Sequence, residues 1–433
     1  MPDFSRYRRL AKEGSWIIIG QIASITGTLV LVRVLTERLD PIQYGQLALG
    51  LTVAGLVNQV VMSGTSGIGR FYSIAAEKQD LHSYLRASRR LMLYATLAVV
   101  AIGLVLMIGL FWLGYSQWMG LAAAALLYSV TSGYNSSLNG IQNAARQRAV
   151  VAFHGGLDAW LKIMLVLGVL LWLGSSSTAV VISYASSSLF VTGSQFIFLR
   201  RLIPHQRTHS GDSTQWLRRM WAYSWPFSAW GIFTWAQQSS DRWALKAFTT
   251  THEVGLYSVL FQLGYTPISM ATGLVVSFMG PILYQRSGDA TDPARNATVH
   301  RFVWRVTFFS LFITVIGFVF VLVLHGWIFR LLVASQYQSV SYLLPWVVLA
   351  GGLFAAGQVL GLKLMSDMKP AAMTLAKIVT ALLGVLLNIY FASVAGLNGV
   401  VGALVGFSVI YFMWMVFLSV RIPMSNKAPS DTR

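Results

Sequence analysis

Apolar stretches of about twenty residues recur along the whole chain, each bounded by charge or turn residues, and each is long enough to cross the roughly 30 Å hydrocarbon core of a bilayer as a helix. In hydrocarbon a spanning helix satisfies its own backbone N–H and C=O groups, which leaves little freedom in what such a chain can become. The stretches fall near 14–36, 44–72, 84–111, 118–143, 150–172 and 178–203, then near 220–247, 254–285, 300–325, 340–366, 371–392 and 399–421. Only 11% of residues are charged, against roughly 25% in soluble domains. The fold class is therefore an all-α polytopic membrane protein with about twelve transmembrane helices. The first stretch reads as a retained span, because Met1 to Lys12 is polar and the apolar run lacks a small-residue cleavage site.

The two halves echo one another. Ser15, Trp16 and Arg33 align with Ser224, Trp225 and Arg242 at one constant offset, and Gly45 meets Gly255 after a slip of one residue. The longest hydrophilic interval near the middle, PHQRTHSGDSTQWLRR, lies between the halves. This predicts two pseudo-symmetric six-helix lobes, 14–203 and 220–421, joined by a cytoplasmic linker at 204–219 and followed by a cytoplasmic tail at 422–433. Residues 1–13 set Phe4, Tyr7 and Leu10 or Ala11 at helical spacing among Arg6, Arg8, Arg9 and Lys12. That pattern suits an amphipathic helix on an anionic inner leaflet, with a solvated basic start as the plainer reading.

The formal charge of +18 would point to nucleic acid in a soluble protein, but its distribution gives another reason. Apart from Arg33, Arg38, Lys162, Arg242, Lys246 and Arg330, the lysines and arginines fall at one set of helix ends or on the terminal segments. The positive-inside rule then places both termini in the cytoplasm, with no nucleic-acid partner required. Trp112, Trp118 and Trp172 stand at the opposite ends, as an interfacial aromatic belt does. The outer connections are very short and leave no room for a soluble domain.

Motifs for cofactor, metal or catalysis are weak. GTSGIG at Gly64 to Gly69 lies inside an apolar helix rather than between a strand and a helix, so its glycines read as packing or kink positions. His154, His205, His209, His252 and His325 lack metal-ligand spacing, and zero cysteines remove thiolate sites. Neither metal nor cofactor is expected.

The informative residues are polar and charged ones at membrane depth, where ionisable groups are costly and face a protein interior or a wet cavity. His154, Asp158 and Lys162 recur every four residues, so Asp158 and Lys162 can pair. Thr234, Gln238, Arg242 and Lys246 share a face beside Asp241, and Arg33 lies on the first span near Gln21 and Ser24. Gln59, Ser63, Ser66 and Arg70 form another polar face, as do Lys377, Thr380, Gly384 and Asn388. The expected cationic substrate-binding set is Arg33, Lys162, Arg242, Lys246 and Lys377. Gln59, Ser63, Asp158, Gln238, Asp241 and Asn388 would line the cavity, and Arg70 and Lys363 would stand at its cytoplasmic entrance. A cationic cavity stabilises an anionic solute, and guanidinium suits phosphate in particular.

Three stretches carry a family resemblance. RVLTERLDPIQYGQLAL (Arg33 to Leu49), NGIQNAARQRAVVAFHGGLDAWLKI (Asn139 to Ile163) and SSDRWALKAFTTTHEVGLYSV (Ser239 to Val259) resemble helix connections of the Wzx-like polysaccharide flippases. Those flippases form a branch of the multidrug/oligosaccharidyl-lipid/polysaccharide (MOP) exporter superfamily. The resemblance implies two six-helix bundles, inward- and outward-open states, and transfer of an undecaprenyl-pyrophosphate-linked oligosaccharide across the bacterial inner membrane. The family's cationic cavity would map onto Arg33, Lys162, Arg242 and Lys246. Two features depart from relatives: about twelve spans rather than about fourteen, and few membrane acids beyond Asp158 and Asp241.

The expected function is that of a lipid-linked oligosaccharide flippase for O-antigen, exopolysaccharide or capsule units, a transporter and not an enzyme. Its expected partners are the lipid-linked unit, membrane lipids, a glycan polymerase and a chain-length regulator. A drug or metabolite antiporter of the same fold is the alternative, and a membrane glycan polymerase or ligase stands third.

Overall fold

A computed structural model describes residues 4–201, 212–287, 292–366 and 370–421 of the chain. Of the N-terminal segment expected to be amphipathic, the helical backbone from Phe4 onward is described, and residues 204–211 of the expected linker and the expected tail 422–433 lie outside the described residues. Among the described residues all regular structure is helical: α1 Phe4–Arg38, α2 Pro41–Val60, α3 Gly67–Glu77, α4 Leu81–Trp112, α5 Met119–Ala144, α6 Arg148–Leu173 and α7 Ser177–Arg200. There follow α8 Ser213–Phe248, α9 Thr251–Ser287, α10 Pro293–Leu332, α11 Leu344–Ser366 and α12 Pro370–Arg421.

Nine helical segments among the described residues are long and apolar enough to cross a membrane. One of them joins α2 and α3, and another, Lys377–Arg421, contains both arms of α12. With α5 and α8, whose polar faces lower their hydropathy, these segments account for the twelve stretches read from the sequence. The exposed faces fit a lipid solvent. Val105, Ile108 and Phe111 on α4, and Phe308, Phe309 and Val323 on α10, are all more than half exposed. Such surfaces would be an aggregation hazard in water.

Local chemistry explains the breaks. Asp40 caps α2, its side chain accepting the Gln43 N–H at 2.7 Å, and Pro41 occupies the first turn, where a missing N–H costs nothing. The second span does not run straight: α2 stops at Val60, Met62–Thr65 form a 3₁₀ turn, and α3 resumes at Gly67. In α12 the break falls at Ala395 and Gly396, where Gly396 takes φ +54°, a region only glycine enters freely. The Glu253 carboxylate, from the first turn of α9, accepts the Leu397 N–H at 3.2 Å and so caps the second arm.

The chain divides into two compact units, Met1–Trp235 and Ala236–Arg433, with the boundary inside α8. In the first unit α1 lies along α6, and α5 packs on α7, α2 and α3. The α1–α6 contact is a seam of small residues: a Cβ at Gly20 or Gly27 would come within 2.8 or 2.9 Å of Ala152 or Ala159. A core built from Ile68, Tyr84, Leu91, Met92, Trp216 and Met220 ties the first part of α8 to α3 and α4. The Trp216 indole N–H donates to Asp80 at 2.7 Å, and the Gly67 N–H donates to the Ser224 hydroxyl at 2.7 Å. In the second unit α11 is the buried hub, packing on α9, α10 and α12. Its core gathers Leu283, Val303, Leu360, Tyr411 and Met415.

Candidate functional site

The first unit holds one of the expected cations among several partners, its side chain still partly exposed. The Lys162 ammonium is 2.5 Å from the Asp158 carboxylate, one helical turn away on α6. The other Asp158 oxygen accepts the Ser187 hydroxyl of α7 at 3.0 Å. Tyr128 of α5 and Tyr184 of α7 place their rings 5.6 and 5.5 Å from the same ammonium, close enough for cation–π attraction. His154, one turn before Asp158, sits 3.0 Å from the Ser194 hydroxyl and 2.8 Å from the Val150 carbonyl. The stripe of His154, Asp158 and Lys162 thus faces α5 and α7. Arg33 pairs with Glu37 at 2.6 Å at the end of α1, where both side chains are more than a third exposed.

The second unit has a comparable station on α8 and α9. One Asp241 oxygen accepts the Arg242 guanidinium at 3.2 Å and the Arg242 backbone N–H at 2.7 Å, and the other accepts the Tyr257 hydroxyl at 2.6 Å. The guanidinium also donates to the Gln238 carbonyl at 3.0 Å and lies 4.5 Å from the Phe261 ring centroid. An aromatic platform of this kind holds the guanidinium plane, and two of its five N–H donors would suffice to bind phosphate bidentately. Lys246 donates to the Thr251 hydroxyl at 2.7 Å. Asn388 of α12 donates to the Ser240 hydroxyl at 2.9 Å.

The structure places the remaining candidates more loosely. Lys377 is half-buried on α12, while Gln238 and Arg70 are exposed. Lys363 is buried and donates to the Ser419 carbonyl, which anchors the end of α11 to α12. Gln59 and Ser63 line a pocket in the first unit of about 570 Å³, set between the broken second span and α5. The Ser63 hydroxyl donates to the Gln59 carbonyl at 2.7 Å and lies 3.3 Å from the Ser228 hydroxyl.

Asp158 and Asp241 pair with the cations beside them, as their positions in the sequence allow, which makes the local positive field smaller than the count of charges implies. One feature escaped sequence reasoning: the polar face of α5, YSVTSGYNSSLNG, whose Tyr128, Ser132, Ser136 and Gly140 recur every four residues and line the pocket. That period was available in the sequence but carries no charge to draw attention to it.

The profile of the family described as "Polysaccharide biosynthesis protein" matches residues 10–285. The chain belongs to that family, and its fold is that of the MOP exporter superfamily. Among solved structures it is similar to "Lipid II flippase MurJ, inward closed conformation", with 12% identity and a TM-score of 0.66 over 94% of this chain and 87% of that one. It is also similar to "MATE transporter ClbM in complex with Rb+", with 13% identity and a TM-score of 0.59 over 98% and 95%. The Vibrio cholerae MATE transporter VcmN in the bent form gives 13% identity and a TM-score of 0.59 over 95% and 94%. No curated protein matches the chain in sequence.

Proposed function

We propose that the chain is a flippase that carries undecaprenyl-pyrophosphate-linked oligosaccharide units, destined for O-antigen, exopolysaccharide or capsule, from the cytoplasmic to the periplasmic leaflet by alternating access. The observation that carries this reading is membership of a polysaccharide-biosynthesis family by a chain whose fold is a polytopic helical one. Helices with buried cations and hydroxyl-lined space suit the movement of a polar, anionic headgroup through hydrocarbon. Arg33, Lys162, Arg242, Lys246 and Lys377 are the proposed pyrophosphate contacts, with Arg70 and Lys363 toward the cytoplasmic entrance. The two lobes, 14–203 and 220–421, are the proposed moving parts.

The proposed setting is the bacterial inner membrane with both termini in the cytoplasm, where a glycan polymerase and a chain-length regulator would take over the flipped unit. An antiporter would need a membrane carboxylate free to exchange a coupling ion. Asp158 and Asp241 are instead each engaged by a cation on the same helix, at 2.5 and 3.2 Å.

The test is deletion of the gene in its host, followed by analysis of where the lipid-linked oligosaccharide collects. Intact units trapped on the cytoplasmic leaflet, relieved by the wild-type chain, are the expected result. Normal glycan export with altered sensitivity to cationic compounds would overturn the reading in favour of the antiporter. Single units building up in the periplasm would overturn it in favour of a polymerase.

A further inference from the structure

The pocket in the first unit differs in kind from the cation stations. Its walls come from the broken second span and from α5, and they present Asn58, Gln59, Ser63, Tyr128, Ser132 and Ser136. Among the described residues, the lining holds no Asp, Glu, Lys, Arg or His. A carboxamide lies next to the 3₁₀ turn on one wall, hydroxyls face it from the other, and the Asn58 amide donates to the Ser132 hydroxyl across the gap at 3.0 Å. Its volume of about 570 Å³ falls within the ~300–1,000 Å³ usual for small-molecule sites.

This lining selects by chemistry. An anion would enter without a counter-charge to offset its desolvation. A hydrocarbon or lipophilic drug would strip water from amides and hydroxyls and return no hydrogen bonds. A polyol matches both requirements, because each sugar hydroxyl donates and accepts, as Asn, Gln and Ser side chains do. An aromatic ring such as Tyr128 offers a surface for the apolar C–H face of a pyranose.

Tyr128 also connects the pocket to the charged station, since its ring lies 5.6 Å from the Lys162 ammonium. A headgroup whose phosphate meets Lys162 therefore has its first sugars beside Tyr128. Resting on the flippase reading above, we infer that this neutral pocket is the glycan-recognition subsite, taking one or two uncharged pyranose rings next to the pyrophosphate. Asn58, Gln59, Ser132 and Ser136 are its specificity-determining side chains. The sugars are read in the first unit by hydrogen bonding, separately from the charge that holds the pyrophosphate.

The experiment uses the full chain purified into nanodiscs and two probes: undecaprenyl pyrophosphate without sugar, and the glycosylated lipid extracted from the host's deletion strain. Asn58→Leu removes the amide donor and acceptor at similar side-chain shape without adding charge, and Ser136→Phe fills the pocket from an exposed position. Each should weaken the glycosylated lipid about tenfold or more, the scale of one or two lost hydrogen bonds, while sugar-free undecaprenyl pyrophosphate keeps its affinity within about twofold. Retained binding of the sugar-free lipid also shows that the variants fold.

Equal weakening of both probes, or no weakening of either, would overturn the subsite and leave the flippase reading standing. If the wild-type chain bound neither lipid, the flippase reading would fall and this inference with it.

Discussion

Arg242 can be tested so that its structural and functional roles separate. In the buried pair the Arg242 and Asp241 side chains are 12% and 5% exposed, so neither charge is well solvated by water. Arg242→Ala strands the Asp241 carboxylate, and breaking a buried pair typically costs ~3–5 kcal/mol. The loss should sit near the lower end, about 3 kcal/mol, because Asp241 keeps the Tyr257 hydroxyl at 2.6 Å and the residue-242 backbone N–H at 2.7 Å. Removing both charges in the double variant Arg242→Met with Asp241→Asn should bring stability back to within about 1 kcal/mol of wild type, since an apolar replacement of a whole pair is often neutral. Export should not return with it. The assays are thermal unfolding of purified protein, and restoration of surface glycan in the deletion strain at matched membrane abundance. Arg242→Lys, which keeps the charge without the planar fork, should restore part of the export. If the double variant regained full export, Arg242 would be only the counter-ion of Asp241, and its assignment to the pyrophosphate would be refuted.

Other variants probe the frame. Asp40→Ala removes the cap on α2 and should cost about 1 kcal/mol in thermal unfolding with export retained; Asp40→Asn should recover most of it. Gly231→Ala should be severe, with membrane abundance and melting temperature both falling, because its Cβ would lie only 1.7 Å from the Gln59 carbonyl oxygen, a backbone atom that cannot swing aside. A wild-type melting temperature there would show that α8 does not pack on α2 in this way. Glu253→Ala should lower the melting temperature by loosening the α12 break, whereas Glu253→Gln keeps an acceptor for the Leu397 N–H and should stay near wild type. A chain without cysteine is also ready for site-directed labelling. Ser116→Cys should react with an impermeant thiol reagent in intact spheroplasts and Lys78→Cys only after permeabilisation; the reverse pattern would invert the proposed orientation.

The helical plan was legible because hydrophobic length, charge and turn chemistry agree. The Asp40–Pro41 turn is signalled by a capping acid before a proline, and the gap between the last two expected spans coincides with the break at Ala395 and Gly396. Packing was less legible. Hydropathy singles out 204–219 as the longest polar interval near the middle, while the boundary between compact units falls after Trp235, because Trp216, Met220 and Ser224 find their partners on α3 and α4. The site was legible where charge marked it. Asp158 and Lys162 stand four residues apart on one helix, so their pairing follows from helical geometry. The Arg242 platform on Phe261 and the bond from Tyr257 to Asp241 join separate helices, and no local pattern encodes them. The hydroxyl face of α5 shows the opposite failure: its period is regular, but serine and asparagine in a span read equally as helix-packing groups.

The seam between α1 and α6 bears on where a long polyprenyl tail can go. Methyl-to-methyl contact needs roughly 3.5–4 Å between carbons, so a hydrocarbon chain passing between two helices must push each of them back from the other. Gly20 lies against Ala152, Gly156 against Ala23 and Gly27 against Ala159, so closely that a single added methyl at Gly20 or Gly27 would already overlap its neighbour. Among the described residues no acyl-sized slot opens between Gly20 and Gly27 along this edge. A substrate that keeps its tail in the bilayer while its head crosses must trail that tail past another part of the protein, because this stretch of α1 against α6 forms a closed wall rather than a lateral doorway.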